Sequence, residues 1–268
     1  MLSNAFATHL DARQDMQKRF IALRDRLVDI IDQRPVIYIP NPGNLGDGLI
    51  RFATLKFLAD AGIKFTEQQS SDHLSSDMTR DTILIYGGGG GWCDYWNDGA
   101  KFVDKTHSLF HHIIVLPSSY QRCCKADNVK FFARDRFESI DYQPGAVFCD
   151  DMSFYSSLVT GKPVAPEGSI GHFFRGDAEG ALWFKTPPDN FDVSTTGDHL
   201  THPAQMIYAI ERYAHIRTDR LHVAIVGALL NKRVDFHAGN YFKNRAVYES
   251  SLRENFINVR FYDNPASN

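Results

Sequence analysis

Val36-Ile37-Tyr38-Ile39-Pro40-Asn41-Pro42-Gly43-Asn44-Leu45-Gly46-Asp47-Gly48-Leu49-Ile50 is the stretch that decides the fold class. Four β-branched or aromatic residues in a row read as a short buried strand. Prolines and glycines then break the strand, and a helix is predicted from about Asp47 to Ala59. Strand, glycine-bearing turn and helix open a parallel α/β unit. The alternation continues, with strands predicted at Ile63–Phe65, Ile83–Tyr86, Ile113–Leu116 (stopped by Pro117), Val129–Ala133 and Ala146–Cys149, and a helix from about Ala100 to His111. Ahead of them Leu10, Met16, Phe20, Leu23, Leu27, Ile30 and Ile31 recur at helical spacing and predict an amphipathic leading helix.

Gly161, Pro163, Pro166 and Gly168 mark the stretch from Thr160 to Gly171 as a linker. A second α/β set follows, with strands at Ile170–Phe174 and Val234–His237 and helices at about Pro203–Tyr213, Leu221–Leu230 and Phe242–Arg253. The expected fold is α/β, with two doubly wound Rossmann-like domains facing a cleft. Residues 1–160 form the first, and residues 161–268 a smaller second whose last helix packs back on the first. In such sheets ligands sit at the carboxyl ends of the strands.

The chain has 268 residues, 43% of them hydrophobic and 23% charged, with a formal net charge of −3. Its Lys and Arg are dispersed, which excludes a polyanion-binding surface and nucleic acid as a partner. No stretch approaches the roughly 20 apolar residues of a membrane span, and Met1 to Gln33 carries no signal-peptide apolar block. Cys93, Cys123, Cys124 and Cys149 are too irregular for a disulfide framework. A cytoplasmic protein with reduced thiols is the expectation.

The strongest chemical signal is Thr218-Asp219-Arg220-Leu221-His222, where a polar turn becomes an apolar helix. A helix start presents unpaired N–H groups and a partial positive charge. Arg220 adds a planar fork matched to phosphate or carboxylate, and His222 a group that moves protons near neutral pH. A surface Arg and His is the plainer alternative. In the opening segment Gly46 lets backbone approach a ligand, and Asp47 is either a base for a hydroxyl or only a helix cap. Gly87 to Gly91, including Gly88 and Gly89, fit a place where a ligand or an opposing chain comes very close. Trp92, Tyr95 and Trp96 beyond them stack on a sugar ring or pack a core. Arg134, followed by Asp135, Arg136 and Glu138, is an anion ligand or part of a buried salt-bridge cluster. His107 and His111 stand one helical turn apart but lack a zincin glutamate, so no metal is expected. Neither a P-loop ending nor a nucleophile elbow is present.

Five segments, in order, resemble the polysaccharide pyruvyltransferase family: Asn41–Ile50, Gly87–Gly91, Ala133–Ser139, Phe173–Glu179 and Arg220-Leu221-His222. The resemblance implies a glycosyltransferase-B-like architecture and pyruvyl transfer from phosphoenolpyruvate to a sugar of a cell-surface polysaccharide or exopolysaccharide precursor, forming a pyruvate ketal. It implies Arg134 on the donor side, and it matches Arg175-x-Asp177-x-Glu179 to a family pattern, making Arg175 a third cationic candidate. His222 is then the acid or the protonated partner of the leaving phosphate, and Asp47 the base, with phosphoenolpyruvate as co-substrate, no further cofactor, and a saccharide acceptor that includes lipid-linked sugars. A nucleotide-sugar-dependent glycosyltransferase and a non-catalytic anion- or sugar-binding protein remain as alternatives.

Overall fold

The structure is a computed structural model that describes residues 2–74, 79–156, 165–180 and 185–263. Much of the expected 160–171 linker lies outside these residues. The described chain falls into two compact units. One comprises Gln14–Pro42 and Ile50–Tyr155; the other takes Met1–Arg13, Gly43–Leu49 and Ser156–Asn268. Every strand pair among the described residues is parallel.

The first unit is built on a seven-stranded sheet. Its strands are β1 (Val36–Ile39), β2 (Thr66–Glu67), β3 (Ile83–Tyr86), β4 (Gly89–Trp92), β5 (His112–Tyr120), β6 (Val129–Ala133) and β7 (Val147–Phe148). They run in the order β2-β1-β3-β5-β6-β7, with β4 paired to β5. The side chains of β1 and β3, and those of β5 beyond His112, are buried on both faces, as central parallel strands require, whereas the outer strands β2 and β7 are exposed or half-buried. Helix α1 spans Leu2–Ile31, starting earlier than the apolar spacing indicated, α2 spans Leu45–Asp60 and α3 Asp98–Thr106. A short α4 follows β6 at Glu138–Tyr142.

Several elements differ from the expectation for physical reasons. The second strand falls at Thr66–Glu67 rather than Ile63–Phe65. Much of the glycine run is strand β4, not turn, because β5 supplies a ladder for it. Pro117 does not stop β5; the register shifts between Val115 and Ser118, so the missing N–H is accommodated at an irregularity. Helix α3 ends at Thr106, leaving His107 in a 3-10 turn and His111 just before β5. The two histidines therefore do not share a helix face.

The second unit carries four strands: β8 (Ile170–Phe173), β9 (His215–Thr218), β10 (Arg233–His237) and β11 (Val259–Tyr262), in the order β11-β10-β9-β8. Helices α5 (Ala204–Glu211), α6 (Leu221–Leu229) and α7 (Lys243–Val247, continued by a π-turn to Leu252) complete it. Gly227 lets α6 settle on β9 and β10, since a methyl there would stand 2.8 Å from Val234 and 3.6 Å from Ile216. The opening turn of α2 belongs to this unit as well. Asn44 bridges to Asp198, the His199 N–H donates to the Gly43 carbonyl at 3.1 Å, and a methyl on Gly48 would meet the Thr201 carbonyl oxygen at 2.7 Å. Among the described residues, no helix is long and apolar enough to cross a membrane.

Candidate functional site

Three strand ends of the four-stranded unit are fastened together before any charged group is placed. The Thr218 hydroxyl donates to the Phe173 carbonyl at 2.6 Å, and the Arg175 N–H donates to Asp219 Oδ1 at 2.8 Å. Asn244 Nδ2 donates to the carbonyls of Asp219 and His237 at 2.7 and 3.0 Å. This edge is rigid because the carbonyls and amides where β8, β9 and β10 run out are tied to one another.

Arg220 is the N-cap residue of α6, and its N–H donates to the Thr218 hydroxyl at 2.9 Å. Its guanidinium meets Asp192 through two bonds, Nε to Oδ1 at 2.9 Å and Nη2 to Oδ2 at 2.5 Å, with Asp177 Oδ2 3.3 Å from Nη2. Neither carboxylate uses Nη1. The fork is only 5% exposed, so these pairs form in a poorly screened setting. Arg220 thus already holds carboxylates of the protein itself, Asp192 through a paired contact and Asp177 at the edge of the fork.

Arg175 supports that arrangement. Its Nε and Nη2 donate to the two oxygens of Asp177 at 2.6 and 2.9 Å, and Nη1 donates to Glu179 at 2.5 Å. Lys243 bonds the same Glu179 oxygen. All three guanidinium nitrogens of Arg175 are committed to carboxylates, so it fastens the 175–179 loop instead of offering an open fork. Burial works to raise the Asp177 pKa, but the Arg175 bonds and the charges of Arg175 and Arg220 outweigh it and hold that carboxyl below its usual range. Burial likewise opposes the charge on Arg175, and Glu179 and Asp177 overcome it.

His222 is the second residue of α6 and lies against Gly46. A methyl built on Gly46 would stand 2.3 Å from His222 Nδ1. The glycine is required there by a side chain of the protein itself. Asp47 completes a capping box: Gly46 N–H donates to Asn44 Oδ1 at 2.8 Å, and Asn44 N–H donates to Asp47 Oδ2 at 3.0 Å. Asp47 therefore caps α2 in the turn that seats His222. The structure brings Arg220, Arg175, His222, Gly46 and Asp47 into one unit.

Arg134, Gly88 and Gly89 belong to the seven-stranded unit. Arg134 ends β6 inside it, 1% exposed, with Nε donating to the Ser119 hydroxyl at 2.9 Å and Nη1 to Asp151 at 2.7 Å. Burial raises the pKa of the adjoining Asp135, against bonds from Ser139 and Phe137 that lower it. The glycines are explained by close approach of the chain. Methyls on Gly87, Gly88 and Gly91 would meet Asn41 N at 2.6 Å, the Pro117 carbonyl oxygen at 2.4 Å and Asn41 Oδ1 at 2.4 Å. Gly89 has φ +134°, and a methyl on Gly90 would meet only Arg134 Nη2, at 3.8 Å. Trp92 is core, packed on Tyr86, Tyr120 and Phe131, whereas Tyr95 and Trp96 are exposed.

Asp192, Asp219, Lys243 and Asp151 were not singled out from the sequence. Asp192 and Lys243 lie in stretches without a periodic pattern, and only the pairing in space reveals them. Asp219 was visible in the polar turn before a helix and Asp151 as a polar residue just after a predicted strand, which was the available signal.

Two parallel sheets alternating with helices define a Rossmann-like α/β protein. The chain is similar to the crystal structure of a functionally uncharacterised protein from Klebsiella pneumoniae subsp. pneumoniae NTUH-K2044, at 28% identity and a TM-score of 0.75, covering 90% of this chain and 97% of that one. No family model and no curated protein match the chain.

Proposed function

We propose that this protein transfers the enolpyruvyl-derived group of phosphoenolpyruvate to a saccharide and closes it into a pyruvate ketal. The observation that carries the reading is the pairing, in the first turn of α6, of a carboxylate-holding Arg220 fork with His222 seated over Gly46. A donor with a phosphate and a carboxylate on three carbons needs a fixed cationic fork and an adjacent acid.

In the proposed reaction His222 protonates the donor methylene, making an oxocarbenium-like carbon. A sugar hydroxyl attacks that carbon and passes its proton to the phosphate, which departs with its bonding electrons, and a neighbouring hydroxyl closes the ketal and returns its proton to His222. The products are one ketal and one inorganic phosphate. Arg220 holds the donor anion once Asp192 yields part of the fork, and Arg175 keeps Asp177 and the loop in place. Asp47, as a cap, enters by holding the turn under His222; Arg134 remains the candidate donor ligand of the other unit. The reading carries a glycosyltransferase-B-like architecture with it, and a soluble or lipid-linked acceptor.

Thermal unfolding with phosphoenolpyruvate, and separately with nucleotide-sugars, tests it. Donor at a hundredfold excess over its dissociation constant should add about 2.7 kcal/mol of stability. A shift with a nucleotide-sugar and none with phosphoenolpyruvate would favour a glycosyltransferase. Stabilisation by phosphoenolpyruvate without turnover on any acceptor would favour a binding protein.

A further inference from the structure

The turn after β4 carries two large aromatic side chains that are about half exposed on a hydrogen-bonded backbone. Trp92, the last residue of β4, is anchored in the core. The chain then closes a tight turn, with the Cys93 N–H donating to the Trp96 carbonyl at 2.9 Å and the Trp96 N–H meeting Cys93 Sγ at 3.4 Å. A second set of bonds ties it to the end of β5. The Gln121 N–H donates to the Trp92 carbonyl at 3.0 Å, the Asp94 N–H to Gln121 Oε1 at 3.1 Å, and Arg122 to Asp94 at 3.1 Å. Helix α3 starts directly beyond, at Asp98. On this fixed turn Tyr95 is 42% exposed and Trp96 48%.

We propose that Tyr95 and Trp96 form the binding platform for a hexopyranose ring of the acceptor saccharide. Adjacent exposed aromatics are unfavourable in water unless they are covered when the protein works. The groups beside them select the cover. Asp94, Asn97 and Asp98 flank the two aromatics in sequence and bring to the same turn carboxylate and amide groups, which can hydrogen-bond hydroxyls. An aromatic face with hydroxyl-binding groups at its rim matches a pyranose, whose C–H face is apolar and whose edge carries hydroxyls. A purely apolar partner would leave those polar groups uncompensated. The turn follows the glycine run at the carboxyl edge of its own sheet, where ligands of parallel sheets bind. Because the backbone is pinned, little ordering is needed on binding. The word acceptor rests on the pyruvyl-transfer reading; saccharide binding at the platform does not.

The test is tryptophan emission of the full chain titrated with oligosaccharides ending in glucose, galactose or mannose, with sorbitol as an open-chain control and no phosphoenolpyruvate present. At least one oligosaccharide should shift the emission, and sorbitol should not. Trp96→Ala should weaken binding by about tenfold or more, measured by calorimetry, and Tyr95→Ala by a smaller factor. Trp96→Phe should retain most of the affinity while losing the emission change. Unchanged unfolding midpoints in all three variants exclude misfolding. Affinity that is unaltered in both alanine variants overturns the platform. So does an absence of any oligosaccharide response, or an emission change that follows protein concentration alone, as self-association would give. Phosphate release from phosphoenolpyruvate, measured in parallel, separates the two claims. Saccharide binding through Trp96 without phosphate release removes the pyruvyl reading and leaves the platform, whereas release with a wild-type acceptor KM in Trp96→Ala does the reverse.

Discussion

Gly46→Ala probes the seat of His222 with a single methyl. Inside a helix this substitution ordinarily stabilises by about 1 kcal/mol. Here the methyl would stand 2.3 Å from Nδ1 and 3.1 Å from Cγ of His222, where a comfortable contact is about 3.5 Å. The imidazole must move by roughly 1 Å or more to reach that separation. The obstacle is a side chain, which can turn away, and the helix gain offsets part of the strain. The unfolding free energy should therefore stay within about 1 kcal/mol of wild type. Turnover should fall by about 10²-fold, the scale expected when a reacting group is displaced by 1 Å. The donor KM should change little, because the atoms nearest the methyl belong to His222 and Asn44 rather than to Arg220. Initial rates of phosphate release, read beside thermal unfolding, measure both quantities. Gly48→Ala is the matched control: its methyl would meet the carbonyl oxygens of Thr201 at 2.7 Å and Asp198 at 2.9 Å. Backbone cannot turn away, so that variant should lose about 1–3 kcal/mol of stability. A fully active Gly46→Ala protein would refute the placement of His222 in the chemistry.

Other expectations follow from the same contacts. Arg220→Ala strands Asp192 in a largely buried site and should cost about 3 kcal/mol of stability as well as donor affinity; Arg220→Lys should fold better yet restore donor binding only in part, because an ammonium lacks the fork. Wild-type phosphoenolpyruvate affinity in Arg220→Ala would contradict the assignment. Asp192→Asn removes the charge that competes for the fork and should lower the donor KM several-fold; an unchanged or higher KM would mean that the donor does not use this fork. Burial, with Arg217 beside it, pushes the His237 pKa down from 6.5 to about 4. The unfolded chain takes up that proton first, so stability is fully present above about pH 6.5 and is lost as pH falls to about 4, by roughly 2–3 kcal/mol. His237→Phe keeps a ring between Phe174 and Tyr262 and should flatten this part of the acid limb; an identical pH profile would count against it.

Most of the seven-stranded sheet was legible because its strands are continuous β-branched and apolar runs, as at Val36–Ile39 and Ile83–Tyr86. Strand β9 was missed because His215-Ile216-Arg217-Thr218 alternates polar and apolar residues over only four positions, and β11 is equally short. The role of β4 was hidden because a run of glycines has no side-chain pattern; its pairing depends on a neighbouring strand far along the chain. At the site, Arg220 and His222 were readable because a helix start concentrates both in one turn. Their partners were not. Asp192 comes from 28 residues before Arg220, and the contact of Gly46 with His222 joins segments that no local pattern connects. The sequence offered a cap and a base as alternatives for Asp47, and the hydrogen bond to the Asn44 N–H realises the cap.

The most direct test of the account is incubation of the full chain with phosphoenolpyruvate and a panel of glycans and lipid-linked sugars, without nucleotide. Phosphate release and product mass should be followed together. The account predicts one phosphate released for each acid-labile pyruvate ketal gained by an acceptor, with both signals lost in His222→Gln. Phosphoenolpyruvate left intact across the panel, while a nucleotide-sugar is consumed, would contradict it.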